Sequence, residues 1–281
     1  MNSKRLCYLM WSLLHSVNCD LTCPFCHSAS SRLVRRKAVV TALYECENCG
    51  LRFRVPKDDP ESSARFYQTK YSQVFTTDCP SDVELAQLVQ SRFRHSPKDY
   101  AEYVKVLNAL DLRPGDSILD FGCSWGYGSW QLRDAGFRVY SYEISRPRAE
   151  YAACNLACDV VNDLRQLPER VKCFFSAHVI EHLPDPNAFW NIANQVLRSD
   201  GFVVCFAPNG EPHLERIRSG YDHLWGQVHP LLLNHRALES MARHYGFSSS
   251  VFSSPYSDHA IRQRNTGTWN GEELLLVARR P

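Results

Sequence analysis

The sequence predicts an α/β fold, a mostly parallel sheet with helices on both faces, preceded by a small metal-held module. Three observations predict it. From about residue 117 onward, short apolar runs alternate with segments of helical period. A glycine-bearing turn, Asp120-Phe-Gly122-Cys-Ser-Trp-Gly126-Tyr-Gly128, joins the first such run to the first such helix. Near the N-terminus stand two Cys-x-x-Cys pairs, Cys23 with Cys26 and Cys46 with Cys49, nineteen residues apart.

With 281 residues, one main domain and an appendage are expected. The 44% hydrophobic and 22% charged content is that of a soluble globular chain. A net charge of +2 argues against a molecule-wide basic clamp for nucleic acid. No run of eighteen apolar residues occurs, so no membrane span is expected. Residues 6–14 are apolar and follow Lys4 and Arg5, but His15 and Asn18 come at once and no small-x-small cleavage site follows. Residues 1–20 are therefore expected to be a leader, read as a short docked helix. Of twelve cysteines, four form the pairs and others, such as Cys123, Cys173 and Cys205, sit singly in apolar segments. That distribution fits a reducing compartment, and a cytoplasmic location is expected.

Residues 21–57 hold the cysteine pairs and two β-prone runs, 38–44 and 51–55. Residues 58–96 are expected to be linker and helix. Tyr67, Tyr71 and Phe75 at i, i+4, i+8 predict a one-sided helix, and Leu85, Leu88, Val89 and Phe93 a second. Residues 97–281 form the main domain, opening with a helix whose face carries Tyr100, Tyr103, Val104, Leu107 and Leu110. Strands are expected at 117–121, 137–142, 159–161, 171–179 and 201–207, with helices at 125–135, 146–158 and 187–198 between them. Asn234 is placed to cap a helix that Gly246 stops. Runs at 247–252 and 273–278 close the domain, expected as an antiparallel edge hairpin. Residues 208–233 are too long for a simple connection and are expected to form a lid.

The glycine turn falls at the carboxyl end of the first strand, where open α/β sheets bind ligands. Its spacing departs from G-x-G-x-x-G, because position 124 is serine, so a pyrophosphate ligand is disfavoured. Glu143 ends the second strand and suits the two hydroxyls of a ribose. Asp120 adds a second anion. Together they suit a nucleoside that carries cationic groups and no phosphate.

ILDFGCSWGYGS followed by VYSYEIS is similar to the first two motifs of class I methyltransferases. SAHVIEHLPDP resembles the fourth-strand segment of the small-molecule branch, and GFVVCFAPN and LESMARHYGF match the usual layout. The resemblance covers about residues 97–280. It implies a Rossmann-like seven-stranded sheet and S-adenosyl-L-methionine as cofactor. It places Asp120, Gly122, Cys123 and Gly126 around the methionine part, Glu143 and Ile144 at the ribose, Asp163 and Leu164 at the adenine, and His178 beside the cofactor. Two residues depart from the pattern. Ser124 stands where the family usually has a glycine, and Lys172 stands near a common aspartate.

Cys23, Cys26, Cys46 and Cys49 supply four thiolates for tetrahedral Zn2+, and the pattern resembles a zinc ribbon. Four protein ligands leave no open position, which predicts a structural ion. His27 and Cys19 are spare ligands nearby. The ribbon also carries Arg32, Arg35, Arg36, Lys37, Arg52 and Arg54, readable as a solvated face or as a contact for an anionic ligand.

For the chemistry, His182 and His229 are the first candidates for a general base, with His178, Tyr221 and His223 behind them. Local capping by Glu181 and His182 is the competing reading, and a divalent metal held by Glu181, His182 and lid residues is a further one. The expected function is methyl transfer to a small or saccharide-like acceptor, at oxygen or carbon. An RNA methyltransferase that grips RNA through the ribbon is the alternative, disfavoured by the modest charge and by HVIEH in place of Asn-Pro-Pro-Tyr. A cofactor-binding scaffold without turnover is the non-enzyme alternative.

Overall fold

The computed structural model describes residues 10, 12–13, 19–37, 40–58 and 78–280. Of the expected leader helix, residues 10, 12 and 13 are helical. The rest of it up to residue 18, and the helix through Tyr67, Tyr71 and Phe75, lie outside the described residues. Among the described residues no helix is long and apolar enough to cross a membrane.

The N-terminal part builds three strands, β1 (Ser31–Lys37), β2 (Thr41–Cys46) and β3 (Arg52–Val55), paired antiparallel in that order. Strand β1 was not expected, since two apolar residues among four basic ones read as a charged stretch. Two helices follow, α1 (Asp82–Gln90) and α2 (Ala101–Ala109). Ser81 and Glu84 form a reciprocal cap at the start of α1. The expected second face is real, although α2 stops at Ala109, short of the Arg-Pro-Gly.

The main sheet then winds through β4 (Ser117–Phe121), α3 (Tyr127–Asp134), β5 (Arg138–Tyr142), α4 (Arg146–Leu156), β6 (Asp159–Val160), β7 (Val171–Ala177), α5 (Asn187–Val196) and β8 (Leu197–Pro208). It is completed by β9 (Leu231–Leu232), α6 (His235–His244), β10 (Ser248–Ser253), α7 (Asp258–Gln263) and β11 (Glu273–Arg279), with β9 belonging to the other sheet. The seven strands lie in the order β10-β11-β8-β7-β4-β5-β6. Strands β6, β5, β4, β7 and β8 pair in parallel, and β11 alone runs against its neighbours β8 and β10. This is the seven-stranded, Rossmann-like sheet that the resemblance implies. The closing pair is antiparallel as expected, but β11 is inserted inside the sheet and β10 takes the edge. Helix α7, between them, was not anticipated.

Strand β4 is buried along its whole length, as a central strand covered on both faces must be. Asn234 caps α6 by accepting from the Ala237 amide at 2.8 Å, and Leu238, Met241 and Ala242 bury its inner face. Lys172, the second departure from the family pattern, ties β7 to β8 through Asp200 at 2.5 Å.

Residues 208–233 do not simply cover the sheet. They form short 3-10 turns, Pro212–Arg216 and Tyr221–Leu224, and then β9, which pairs with β3 as the fourth strand of the ribbon sheet. Leu43 of the ribbon packs with Leu214, Tyr221, Trp225 and Leu232 of this segment. Arg52, almost fully buried, donates to Glu45 at 2.7 Å, to Glu215 at 3.3 Å and to the Tyr221 hydroxyl at 3.0 Å. Arg35 pairs with Glu215 and Asp222, Arg32 with Glu45, and Arg54 with Asp58. Lys37 donates to the carbonyls of Asp222 and Trp225. Most basic residues of the ribbon are thus engaged by acids and carbonyls of the chain itself, although Arg32 and Arg36 remain exposed. Arg35, Lys37 and Arg52 tie the ribbon to residues 208–233, while Arg32 and Arg54 pair with acids close by in sequence.

The two knuckles dock on the main domain as well. Asn187 at the start of α5 donates to the carbonyls of Pro24 and Phe25, and Asn234 at the start of α6 donates to that of Gly50 at 2.8 Å. One apolar core runs from Phe25, Leu51 and Phe53 through to Ile180, Phe189 and Leu238.

Replacing Arg52 leaves two carboxylates without their buried partner. Arg52→Ala is expected to lower unfolding stability by about 3 kcal/mol. Arg32→Ala, which removes an exposed partner of the same Glu45, is expected to cost less than about 1 kcal/mol. Urea unfolding of the two variants measures the difference, and equal losses would contradict the assigned role of Arg52.

Candidate functional site

The residues singled out for a cofactor gather along the carboxyl edge of β4, β5, β6 and β7. The turn after β4 needs its glycines. Gly122 has φ +85° and a Cβ there would lie 2.4 Å from Val179 Cγ2. Gly126 has φ +91° and would meet Ala152 and Cys158 at 2.8 Å. Ser124 adopts the left-handed region itself, at φ 53°, so the turn keeps its shape without the third glycine. Its amide donates to Glu143 Oε2 at 2.9 Å, and the Ser145 amide donates to Oε1 at 2.7 Å. Those two bonds fix the carboxylate at the end of β5 and leave lone pairs on both oxygens. Burial pushes the Glu143 pKa up against these bonds.

Asp120 is nearly fully buried and accepts the Ser129 hydroxyl at 2.6 Å. Burial raises its pKa to about 7, the Ser129 hydroxyl opposes this and the charge of Glu143 adds to it. Cys123 is buried in the turn, whereas Ile144, beside Glu143, is 46% exposed and offers apolar surface at the cleft. Asp163 caps the 3-10 turn Leu164–Gln166, and its carboxylate also grips Arg165 at 2.7 Å. A cradle of glycine backbone, two acids and an exposed isoleucine fits an adenosyl ligand with a cationic methionine end.

At the end of β7, His178 sits at φ 56° between two glutamates. Its Nε2 lies 2.6 Å from Glu273 Oε2 and its Nδ1 3.5 Å from Glu181 Oε1. Tyr103 and Tyr256 donate to the same Glu273 at 2.7 and 2.5 Å. The two carboxylates raise the pKa of His178 to about 10. His178 is a cation at neutral pH and has no lone pair with which to take a proton. Glu273, Tyr103 and Tyr256 were not expected here. The only local sign of Glu273 was an acid at the head of an otherwise apolar strand.

Glu181 is buried, and neither of its oxygens has a hydrogen-bond partner among the described residues. Beside it lie His182 and His229, with ring centroids 4.5 Å apart, edge to face. His182 Nδ1 is 3.0 Å from the Val228 carbonyl, and His229 Nδ1 is 3.2 Å from that of Leu224. Since a carbonyl only accepts, each Nδ1 carries the proton. One ligating atom from each of Glu181, His182 and His229 lies within 4.8 Å of the others. Burial lowers the pKa of His182 to about 4 despite the nearby Glu181, so its imidazole is neutral. Local capping does not describe this arrangement, because the Glu181 side chain makes no capping bond.

Tyr221 and His223 are placed elsewhere. The Tyr221 hydroxyl is buried, donates to the Gly210 carbonyl at 2.8 Å and accepts from Arg52. Burial pushes its pKa up to about 12. It is a strut between ribbon and lid, which removes it as a base. His223 is exposed on the outer turn next to Asp222, the partner of Arg35.

The four ribbon cysteines converge, with Cys23 and Cys49 sulfurs 3.6 Å apart and those of Cys26 and Cys46 3.5 Å apart. Edges of about 3.8 Å are what sulfurs 2.3 Å from a tetrahedral zinc would have. Neither Cys19 nor His27 belongs to the group. The donor set and spacing therefore fit a closed four-thiolate site.

Residues 92–249 match the family model described as a methyltransferase domain. A protein of Streptomyces fradiae in transposon TN4556 is 32% identical over 164 residues, covering 54% of this chain and 45% of that protein. The chain thus spans less than half of that relative. An uncharacterized methyltransferase of Geobacillus kaustophilus is 25% identical over 182 residues, covering 60% of this chain and 82% of that one. Among solved structures, the magnesium protoporphyrin IX methyltransferase of Synechocystis with bound S-adenosylhomocysteine superposes with a TM-score of 0.51 at 17% identity, covering 79% of this chain and all of that one. The plantazolicin methyltransferase, in complex with a pentazolic analogue and S-adenosylhomocysteine, gives 0.51 at 13% identity, covering 78% and 96%. At such identities the structural likeness establishes the fold.

The raised pKa of Asp120 has a measurable consequence. A cationic ligand favours the ionised carboxylate, so below pH 7 it must displace a proton. Affinity for S-adenosylmethionine is expected to rise about tenfold more between pH 6 and 8 in the native chain than in Asp120→Asn. Calorimetric titration across that range tests this, and parallel pH profiles for the two proteins would refute it.

Proposed function

Because this chain belongs to the methyltransferase-domain family and is an S-adenosylmethionine-dependent methyltransferase, we propose that its acceptor is a small, saccharide-like molecule methylated at oxygen or carbon, and that the acceptor is ionised at the group formed by Glu181, His182 and His229. When bound, S-adenosylmethionine supplies a methyl group on a sulfonium sulfur, open to in-line displacement.

The chain's own residues divide the work. Gly122 and Gly126 let backbone approach the methionine part, with Cys123 behind them. Asp120 faces the cationic end. Glu143 takes the ribose hydroxyls on its remaining lone pairs, and Ile144, Asp163 and Leu164 flank the adenine. His178 is a fixed cation that orients Glu181 and Glu273. The observation that carries the reading is the neutral, partly buried His182 with His229 against it, directly beyond the end of β7. Of the five base candidates these two keep the required chemistry.

The ribbon has a part in this. The four cysteines would hold a structural zinc, and the ribbon's strand β3 pairs with β9, two residues beyond His229. The Arg54 amide also donates to the Pro230 carbonyl at 2.8 Å. The ribbon thus positions His229. Its basic side chains, Arg36 apart, are committed to carboxylates and carbonyls of the chain itself, which speaks for a small acceptor over RNA.

His182→Ala and His229→Ala are each expected to lower methyl transfer by roughly 100-fold or more with cofactor affinity unchanged. The assay is transfer of a labelled methyl group to a panel of glycosides, nucleotide sugars and small alcohols. Label entering RNA alone would overturn the acceptor class. Cys46→Ser is expected to release one equivalent of zinc and to slow transfer through His229 while cofactor binding persists. Elemental analysis finding no zinc in the native chain would contradict the ribbon assignment.

A further inference from the structure

The group around His229 has the donor set of a second metal centre. We propose that Glu181, His182 and His229 bind one divalent transition-metal ion, separate from the four-cysteine site, with coordination positions left for an acceptor hydroxyl.

The geometry is close to what an ion requires. Glu181 Oε1 and His182 Nε2 are 3.9 Å apart, and one atom from each of the three residues lies within 4.8 Å of the others. Nitrogen and oxygen ligands about 2.1 Å from a tetrahedral ion would lie about 3.4 Å apart, a closure of less than about 1 Å for each side chain.

The chemistry of the three groups points the same way. Glu181 is a buried carboxylate whose two oxygens have no hydrogen-bond partner among the described residues. A carboxylate withdrawn from water needs a cation. The nearest one, His178, stands 3.5 Å from one oxygen and is already bound at 2.6 Å to Glu273. Each imidazole gives its Nδ1 proton to a backbone carbonyl, Val228 for His182 and Leu224 for His229. That is the outer-sphere contact that fixes the tautomer of a metal-ligating histidine and presents the Nε2 lone pair. His182 Nε2, a ring nitrogen of His229 and a carboxylate oxygen of Glu181 thus come close together.

Two imidazoles and one carboxylate, with no thiolate, suit Zn2+, Fe2+ or Mn2+ better than Mg2+ or Ca2+. Three protein ligands leave the site open, unlike the ribbon. An ion there lowers the pKa of a hydroxyl that reaches it. The O–H bond breaks, the proton leaves to water and the electron pair stays on oxygen. His182 and His229 then act as ligands, not as proton acceptors. This role rests on the proposed reading of the group as the site where the acceptor is ionised; the presence of the ion does not.

Titration of the chain, freed of metal at both sites by chelation, with Co2+ tests the inference. Two equivalents are expected to bind, and only one to produce thiolate-to-cobalt charge-transfer absorption. His229→Ala and Glu181→Gln are expected to keep the charge-transfer species and bind the second ion at least about 100-fold more weakly. Unchanged S-adenosylhomocysteine affinity verifies that each variant is folded. If the charge-transfer species accounts for all cobalt bound by the native chain, or if both variants retain the second ion undiminished, the site does not exist. If no second ion binds while His182→Ala still slows methyl transfer, the imidazole-base reading stands alone. If the ion binds but its removal leaves transfer unaltered, the metal site stands and the ionising role falls.

Discussion

The pairing of β3 with β9 is the contact on which the acceptor side of the molecule depends. A two-residue strand has little stability of its own, since an isolated pair in water is marginal. Here Leu231 and Leu232 are buried on one side by the ribbon and on the other by the main core. Around them Arg52 joins Glu45, Glu215 and the Tyr221 hydroxyl in one desolvated cluster. The segment before β9 thereby acquires a fixed position, and with it Val228 and His229. A ribbon of this size cannot supply that rigidity from its own apolar surface. Its knuckles borrow it from α5 and α6, through Asn187 and Asn234.

On the cofactor side the constraint is electrostatic. Asp120, Glu143, Glu181 and Glu273 all stand at the carboxyl edge of the sheet or at the head of β11, with few cations among them. Asp120 and Glu143 are held by hydroxyl and amide donors, so their negative charge is not cancelled by a neighbouring salt bridge. A cleft of this kind attracts a cation and repels phosphate. That is the physical content of the missing dinucleotide fingerprint: the departure from G-x-G-x-x-G and the acids that replace a phosphate cradle are parts of one design.

Much of this was legible from local pattern. The strand–turn–helix at Asp120 to Gly128, the acid after β5, the capped α6 and the four cysteines each declare themselves within a short window of sequence. Three features did not. Strand β1 hides because SRLVRRK carries four basic residues, of which Arg35 and Lys37 find their partners far away, in residues 208–233. The lid reads as a loop because β9 is two residues long and its partner strand lies far away in sequence. Glu273 is invisible beside His178, because 95 residues separate them and only the insertion of β11 next to β8 brings them together. In each case the missing information is a long-range pairing. Tyr221 misled for a related reason. A tyrosine in a polar insertion suggests chemistry, and only its burial against Arg52 shows it to be a strut.

The two histidines of the HVIEH segment carry the argument one step further. They are four residues apart, yet their surroundings send them in opposite directions. His178 lies between Glu181 and Glu273 and is held as a cation, whereas His182 is desolvated against His229 and Val228 and is held neutral. Environments that drive like groups apart in this way assign them different tasks. The carboxylate between them explains the division. With His178 favouring its ionised form, Glu181 stays charged, with its pKa lowered to about 2 although burial alone would raise it. Beside Glu181, with His178 3.5 Å from one oxygen, ring nitrogens of His182 and His229 add two further donors. That set suits a further cation, whether a proton received from the acceptor or the proposed metal ion held ahead of it.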